Sequence, residues 1–194
     1  MTMTTIILAA GFSSRMKQFK PLALYEQKTF LENIIRKSGK ISKEIIVVTG
    51  FKNELVQNEI NRISKFQQSS IKTIFNENYR NGMFSSIKKG ISEVQTNWAL
   101  LHFVDQPSLP QDFYSEIKSK ASEKFYWIQP KFNGQNGHPI LIYKRIFPLI
   151  LNADDNLTLK NVSEQIKLKF IYPTIYSEVL DNFNDEKFTQ QIAR

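Results

Sequence analysis

The sequence predicts an α/β fold in one domain over residues 1–194, a mostly parallel sheet covered by helices on both faces. Three observations predict it. Apolar runs of strand length alternate with segments of helical period from the N-terminus to about residue 125. Several of those runs stop at glycine or aspartate, as buried parallel strands do when they feed a turn. No repeat, low-complexity tract or linker interrupts the pattern, and 194 residues suffice to bury one core.

The strands follow in order. Thr5–Ala9 is a continuous apolar run ending in Ala10-Gly11, and Ile45–Thr49 is β-branched and stops at Gly50. Lys72–Phe75 is a short third strand, and Trp98–Val104 a fourth that runs directly into Asp105. Tyr126–Pro130, His138–Tyr143 and Lys169–Tyr172 read as further strands, the middle one a candidate for antiparallel pairing. Helical spacing puts Phe30, Ile34 and Ile35 on one face, then Leu55, Val56, Ile60 and Ile63. Ile87, Ile91 and Val94 repeat it, as do Phe113, Ile117 and Ala121.

Composition narrows the chemistry. With no cysteine, disulfides, zinc–thiolate sites, iron–sulfur clusters and thiol nucleophiles are excluded. The two histidines, His102 and His138, are too few for a histidine-rich metal site, so any metal should be held by oxygen. Met1–Ala10 is apolar but short and has no basic residue ahead of it, which fits neither a signal peptide nor a membrane span. A cytoplasmic protein with no membrane partner is expected. The formal charge of +8 is spread along the chain without a long basic run, which reads as solvated surface rather than a nucleic-acid face. A modest attraction for polyphosphates remains compatible with it.

Parallel sheets bind ligands beyond the carboxyl ends of their strands, so the segments after each apolar run carry the interest. After the first come Leu8, Ala9, Ala10, Gly11, Phe12, Ser13, Ser14, Arg15 and Met16, then Lys20-Pro21-Leu22. The small residues let phosphate oxygens approach the backbone N–H groups, and Ser13 and Ser14 add hydroxyl donors. Arg15 has a fork that holds two oxygens, and Lys20 supplies a compact charge. The alternative is a plain turn with an exposed arginine and lysine. Neither G-x-x-x-x-G-K-[ST] nor G-x-G-x-x-G is present, so this is not a Walker loop or a dinucleotide site.

Three later segments belong with it. Gly82, Ser85 and Ser86 open a helix, which leaves free N–H groups near an acceptor; an ordinary helix cap is the other reading. Asp105 ends a buried run, where a carboxylate must be solvated, paired, bound to a metal or used as a cap. Magnesium bridging phosphate oxygens suits it, because Mg²⁺ takes one or two carboxylates plus phosphates and water. His138, between Gly137 and Pro139 in the loop from Asn133, faces a pocket more readily than a core.

Leu8–Met16 with Lys20-Pro21-Leu22 resembles the signature L-A-A-G-x-S-S-R-M-G-x-x-K-x-L of the molybdenum-cofactor nucleotidyltransferases, and its paired alanines resemble the cytidylyltransferase branch. Asn76–Ile87 is similar to the family's N-x-x-W-x-x-G-M-x-S-S-L, Val104–Pro107 to G-D-Q-P, and Asn136–Leu141 to R-G-H-P-V-L. Lys17, Val104 and Asn136 depart from these patterns. The C-terminal D-I-D-T-P-E-D-L is matched weakly by Asp181–Phe188, with Phe183 where the second aspartate falls and Asp181 or Asp185 as candidate substitutes.

The resemblance implies a three-layer, Rossmann-like sheet of the nucleotide-diphospho-sugar transferase type, and transfer of CMP from CTP to a phosphorylated pterin with release of pyrophosphate. It implies Arg15, Lys20 and Asp105 as catalytic residues, and Asp105 as the Mg²⁺ ligand. The nucleotide falls to Leu8, Ala9, Ala10, Gly11, Ser13, Ser14, Arg15, Lys20, Gly82, Ser85 and Ser86, with Ser86 toward the cytosine. The acceptor falls to Gln106, Pro107, Gly137 and His138, and an acceptor molybdoenzyme or chaperone is a candidate further partner. A sugar- or polyol-phosphate acceptor, or a nucleotide-binding protein without catalysis, are the alternatives that Asn136 and Phe183 leave open.

Overall fold

In the computed structural model, which describes residues 2–13 and 18–183, the first apolar run forms β1 (Met3–Ala9), buried throughout. A 3₁₀ turn at Lys20–Leu22 leads to a hairpin of β2 (Leu24–Tyr25) and β3 (Lys28–Thr29), then α1 (Phe30–Gly39). The alternation continues through β4 (Glu44–Thr49), α2 (Asn53–Ser64), β5 (Ser70–Phe75), α3 (Met83–Ser92), β6 (Trp98–Phe103) and α4 (Gln111–Ser119). β7 (Trp127–Phe132), β8 (Gln135–Asn136), β9 (Ile140–Tyr143), α5 (Phe147–Leu151), α6 (Leu159–Glu164) and β10 (Lys169–Pro173) follow.

The main sheet has the order β10-β7-β9-β6-β1-β4-β5, with β8 added to β7. β1 lies parallel to β4 and β6, β4 to β5, and β7 to β10. β9 runs antiparallel to both β6 and β7, which makes the sheet mixed but mostly parallel, as the sequence predicts. Period-two side-chain alternation fills both faces. Ile6, Leu8, Ile46, Val48, Ala99 and Leu101 pack with α3, α5 and α6, while Ile7, Ala9, Ile45 and Val47 pack with α1 and α2. Trp98 and Leu100 meet α4 on that second side. The result is three layers.

Two lateral devices hold the helices. Thr29 caps α1 by accepting from the Glu32 N–H at 3.0 Å, and its own hydroxyl donates to Glu59 of α2 at 2.6 Å. Arg62 then pairs with both buried carboxylates, Glu32 and Glu59, locking α1 to α2. On the opposite face Gly90 lets α3 settle onto the sheet, since a Cβ there would stand 2.6 Å from Ile6 Cγ2.

Some expectations shift. The third strand begins two residues early at Ser70, and the fourth stops at Phe103, so Val104 belongs to the turn. Val56, Ile60 and Ile63 are buried as read, but Leu55 is exposed because the apolar stripe of α2 is narrower than its spacing suggests. Val94 and Ala121 lie just beyond the ends of α3 and α4. α5 and α6, too short to show a period, were not foreseen; they pack Phe147, Ile150 and Val162 onto the core. Among the described residues no helix is long and apolar enough to cross a membrane.

Candidate active site

Because β1, β4, β5 and β6 point the same way, the turns at residues 10–13, 50–52, 76–82 and 104–107 gather on one edge of the sheet. They enclose a cleft of about 450 Å³ lined by Leu8, Ala9, Ala10, Gly11, Ser13, Lys20, Gly82, Ser86 and Asp105 from the expected set. Phe12, Tyr79, Arg80, Met83, Phe103 and Asn182 complete much of its wall. Ser14 and Arg15, assigned to the triphosphate, lie outside the described residues, as do Lys17 and Asp185.

Local chemistry explains how the chain makes this wall. No side-chain atom would meet a Cβ on Gly11, so the backbone there is open to a ligand. Ser13 turns the loop with φ 55°, and its hydroxyl accepts from the Lys20 N–H at 3.1 Å, which starts the 3₁₀ turn that Pro21 continues. Lys20 Nζ donates to Asp105 Oδ2 at 2.9 Å, with the two side chains 13% and 18% exposed. Asp105 therefore caps no helix: α4 has Pro110 at its N-cap. Its carboxylate is the acid group lining the cleft among the described residues, and the lysine ammonium is its partner. Fit to a divalent cation rests on that donor set. One carboxylate facing a cleft with room for phosphate oxygens and water suits Mg²⁺ without a protein cage.

Gly82, at φ 99°, turns the chain into α3 in a conformation that favours glycine. Behind it Asn76 is buried, and its Nδ2 donates to Ser85 Oγ at 2.9 Å and to Ser86 Oγ at 3.0 Å. Asn76 Oδ1 accepts from the Asn78 N–H at 3.1 Å, which fixes the amide's orientation. Ser85 spends its proton on the carbonyls of Asn78 and Gly82, so the structure turns it from the cleft into its own loop. Ser86 stays on the cleft wall.

A second cavity, of about 820 Å³, adjoins the first and shares Gly82, Met83 and Phe103 with it. Trp127, Gln129, Asn136, His138 and Ile140 form its floor and Asp155–Lys160 its outer wall. His138 reaches this edge because β9 is reversed: the residues entering an antiparallel strand lie where the parallel strands end. Its ring sits 4.5 Å from that of Phe103, and burial pushes its pKa down to about 4 despite the opposing pull of Asp105. It is neutral, and its Nδ1 is buried without a hydrogen-bond partner among the described residues.

The other residues expected at the acceptor are engaged in packing. Gln106 is buried and donates to the carbonyls of Val179 and Asp181, and the Pro107 carbonyl accepts from Lys37 Nζ at 2.8 Å. Gly137 is pressed against Val179, where a Cβ would lie 2.5 Å from Cγ2. These three brace the site from behind. Asp181 accepts from Ser108 Oγ at 2.6 Å, and Phe183 packs its ring against Phe30, Tyr25 and Ala23. Between them, Asn182 reaches the cleft.

Sequence reasoning missed Gly50, Tyr79 and Arg80. A Cβ on Gly50 would lie 2.6 Å from Tyr79 Cβ and 2.9 Å from the Ala10 carbonyl, so glycine lets three turns close on each other. Tyr79 and Phe12 meet ring to ring at 5.3 Å, and Arg80 adds a second described cation to the cleft. The glycine ending a buried strand was the available signal for the first of these.

A small-residue turn, a lysine–carboxylate pair and a helix-opening serine around one cleft of a parallel sheet define an enzyme that handles nucleoside phosphates. Residues 5–169 match the MobA-like NTP transferase domain, and the chain belongs to that family as a nucleotidyltransferase. It is 35% identical over 162 residues to the molybdenum cofactor cytidylyltransferase of Escherichia coli, covering 83% of this chain and 79% of that one. A probable molybdenum cofactor guanylyltransferase of Bacillus cereus is 22% identical over 174 residues, covering 86% and 82%. In fold, a nucleotidyl transferase from Methanothermobacter superposes with a TM-score of 0.79 at 16% identity, covering 98% of this chain and 95% of that one.

Proposed function

We propose that the chain is a cytoplasmic, magnesium-dependent cytidylyltransferase that moves CMP from CTP to the phosphate of molybdopterin or its molybdenum-bearing form. The observation that carries the reading is the pair of adjoining cavities, with Lys20 and Asp105 in one and His138 in the other. The kinship to a cytidylyltransferase supports the base, and the Asn76–Ser86 bond orients a hydroxyl that can pair with it. With Ser86 Oγ already accepting from Asn76, its own proton is left to donate into the cleft. Cytosine presents adjacent acceptors at N3 and O2, whereas uracil and guanine carry N–H donors at the corresponding ring nitrogens.

The acceptor phosphate, ionised at neutral pH, attacks the α-phosphorus in line, and pyrophosphate leaves with the electron pair of the broken bond. No general base is required. Such a transfer needs positioning and charge neutralisation more than covalent help. The backbone at Ala10 and Gly11 donates to phosphate oxygens, and Lys20 meets the α-phosphate as charge develops there. Asp105 would hold a magnesium ion, which would supply Lewis-acid neutralisation of the phosphates. The acceptor chamber has apolar faces from Trp127, Phe103 and Met83, and amides from Gln129 and Asn136, a mixture suited to a flat heterocycle. Asn136, which stands on that chamber's lining in place of the arginine of the family pattern, leaves a sugar or polyol phosphate as the second reading.

Incubation with Mg²⁺, molybdopterin and each of the four nucleoside triphosphates tests the proposal. Pyrophosphate release with CTP above the others is expected. Release with GTP instead, or only with a sugar phosphate as acceptor, would replace it.

A further inference from the structure

We infer that Lys88 is a positioning residue for the acceptor, tying the outer wall of the acceptor chamber to the helix that carries the nucleotide contacts. The inference rests on the two-cavity reading above. Lys88 lies on α3 and lines neither cavity itself. Its Nζ donates to the Ala153 carbonyl at 2.5 Å and to Asp155 Oδ1 at 2.6 Å, and sits 5.6 Å from the centroid of the Phe84 ring. The lysine side chain is 18% exposed and that of Asp155 is 79% exposed. The exposed carboxylate adds little by itself, so the restraint rests chiefly on the part-buried bond of the ammonium to the Ala153 carbonyl over the Phe84 face.

The wall needs such a restraint. Between α5 and α6 the segment makes its own bonds only locally: Asn156 N–H to Asp154 Oδ1, Leu157 N–H to the Asp154 carbonyl, and the Thr158–Asn161 capping box. Leu157 and Leu159 pack on the core, and Asn152 and Ala153 donate back to α5, but among the described residues the polar bonds that join residues 152–158 to any element beyond the flanking α5 and α6 come from Lys88. This is the stretch whose Asp155, Asn156, Leu157 and Thr158 line the chamber opposite His138.

The other end of α3 faces the nucleotide. Met83 lines both cavities and Ser86 the nucleotide cleft, and the helix is pressed to the sheet through Gly90. One rigid helix therefore sets both the seat of the nucleotide and the distance to the acceptor wall. In-line transfer demands reacting atoms within about 3–3.5 Å, so a wall that drifts by an ångström weakens acceptor binding and alignment. A clasp on α3 prevents that drift without touching either substrate.

The test uses the full chain with Lys88→Met, which keeps the stem and removes the charge, and Lys88→Arg, which restores it. With molybdopterin as acceptor, Lys88→Met is expected to raise the acceptor KM about ten-fold while the CTP KM stays within about two-fold. Lys88→Arg is expected to recover most of the loss. Hydrogen exchange of the 152–158 amides should quicken in Lys88→Met and return in Lys88→Arg. An unchanged acceptor KM, or acceptor and CTP KM rising together with a fall in Tm, would overturn the inference in favour of simple stabilisation. If wild-type protein does not turn molybdopterin over, the functional reading fails instead. Exchange at 152–158 still decides the clasp in that case, since unchanged rates in Lys88→Met would refute it.

Discussion

Replacing Lys20 with methionine isolates the charge at the centre of the cleft, because the stem is kept and only the ammonium goes. In the structure that ammonium lies 2.9 Å from Asp105 Oδ2, between side chains that are 13% and 18% exposed. At an effective dielectric of about 20, unit charges at that separation attract by about 6 kcal/mol before desolvation is subtracted. A similar encounter with the α-phosphate, stronger in the transition state than in bound CTP, is what catalysis exploits. Losing one preorganised donor of this kind costs about 10²–10³ in kcat, or about 3–4 kcal/mol. We therefore expect Lys20→Met to lower kcat about 10²–10³-fold and to change the CTP KM by less than about five-fold. Steady-state pyrophosphate release at saturating acceptor reads both. A loss falling wholly on the CTP KM, with kcat intact, would make Lys20 a uniform binder and refute the reasoning.

Phe183→Asp is expected to destabilise by about 2–4 kcal/mol without raising activity, because its ring is packed with Phe30 and Tyr25 and faces away from the cleft. Asn182→Asp, by contrast, should lower the Mg²⁺ concentration needed for half activity; a titration unchanged by it would show that position 182 does not reach the ion. Asn76→Asp turns the donor to Ser86 into an acceptor and should draw the serine proton away from the base, lowering the kcat/KM ratio of CTP to UTP about ten-fold. An unaltered ratio would remove Ser86 from base selection. His102 and His138 are buried and neutral, with pKa values of about 3 and about 4, below the ~6.5 of the unfolded chain. The unfolded state thus binds protons first as pH falls, so their contribution is complete above pH ~6.5 and lost progressively below it. At pH 5 each site should cost about 2 kcal/mol, seen as a lower urea midpoint than at pH 7. An equal midpoint at the two pH values would contradict the burial argument.

Much of this was legible because buried parallel strands write long apolar runs and the turns after them carry the ligand. Thr5–Ala9 and Ile45–Thr49 could be read as strands with their glycine stops, and Asp105 stood out because a carboxylate at the end of such a run is costly without a partner. Register and facing were not legible. Nothing local distinguishes Asn182 from Phe183, yet one reaches the cleft and the other fills a gap under the β2–β3 hairpin. The resemblance alone offered Gln106 to the acceptor, and only the arrival of the 179–181 carbonyls from distant sequence shows where its side-chain NH2 is spent. α5 and α6 escaped because five and six residues are too few for a helical period to declare itself. His102 gave no sign of its place either. Its Nδ1–H donates to the Phe103 carbonyl and its Nε2 accepts from Tyr114, so it serves as a satisfied core residue.

The reversed strand β9 divides labour along the chain. The cleft that holds Lys20 and Asp105 sits where strands leave the sheet, whereas His138 sits where a strand enters it. The entering loop is a hairpin of β7 and β8 whose tip, Asn133-Gly134, takes φ of 44° and 82°. Length can thus be added or taken away at that tip while β1, β4 and β6 keep their register. The architecture makes the His138 side the exchangeable end of the molecule and the Lys20–Asp105 side its fixed one.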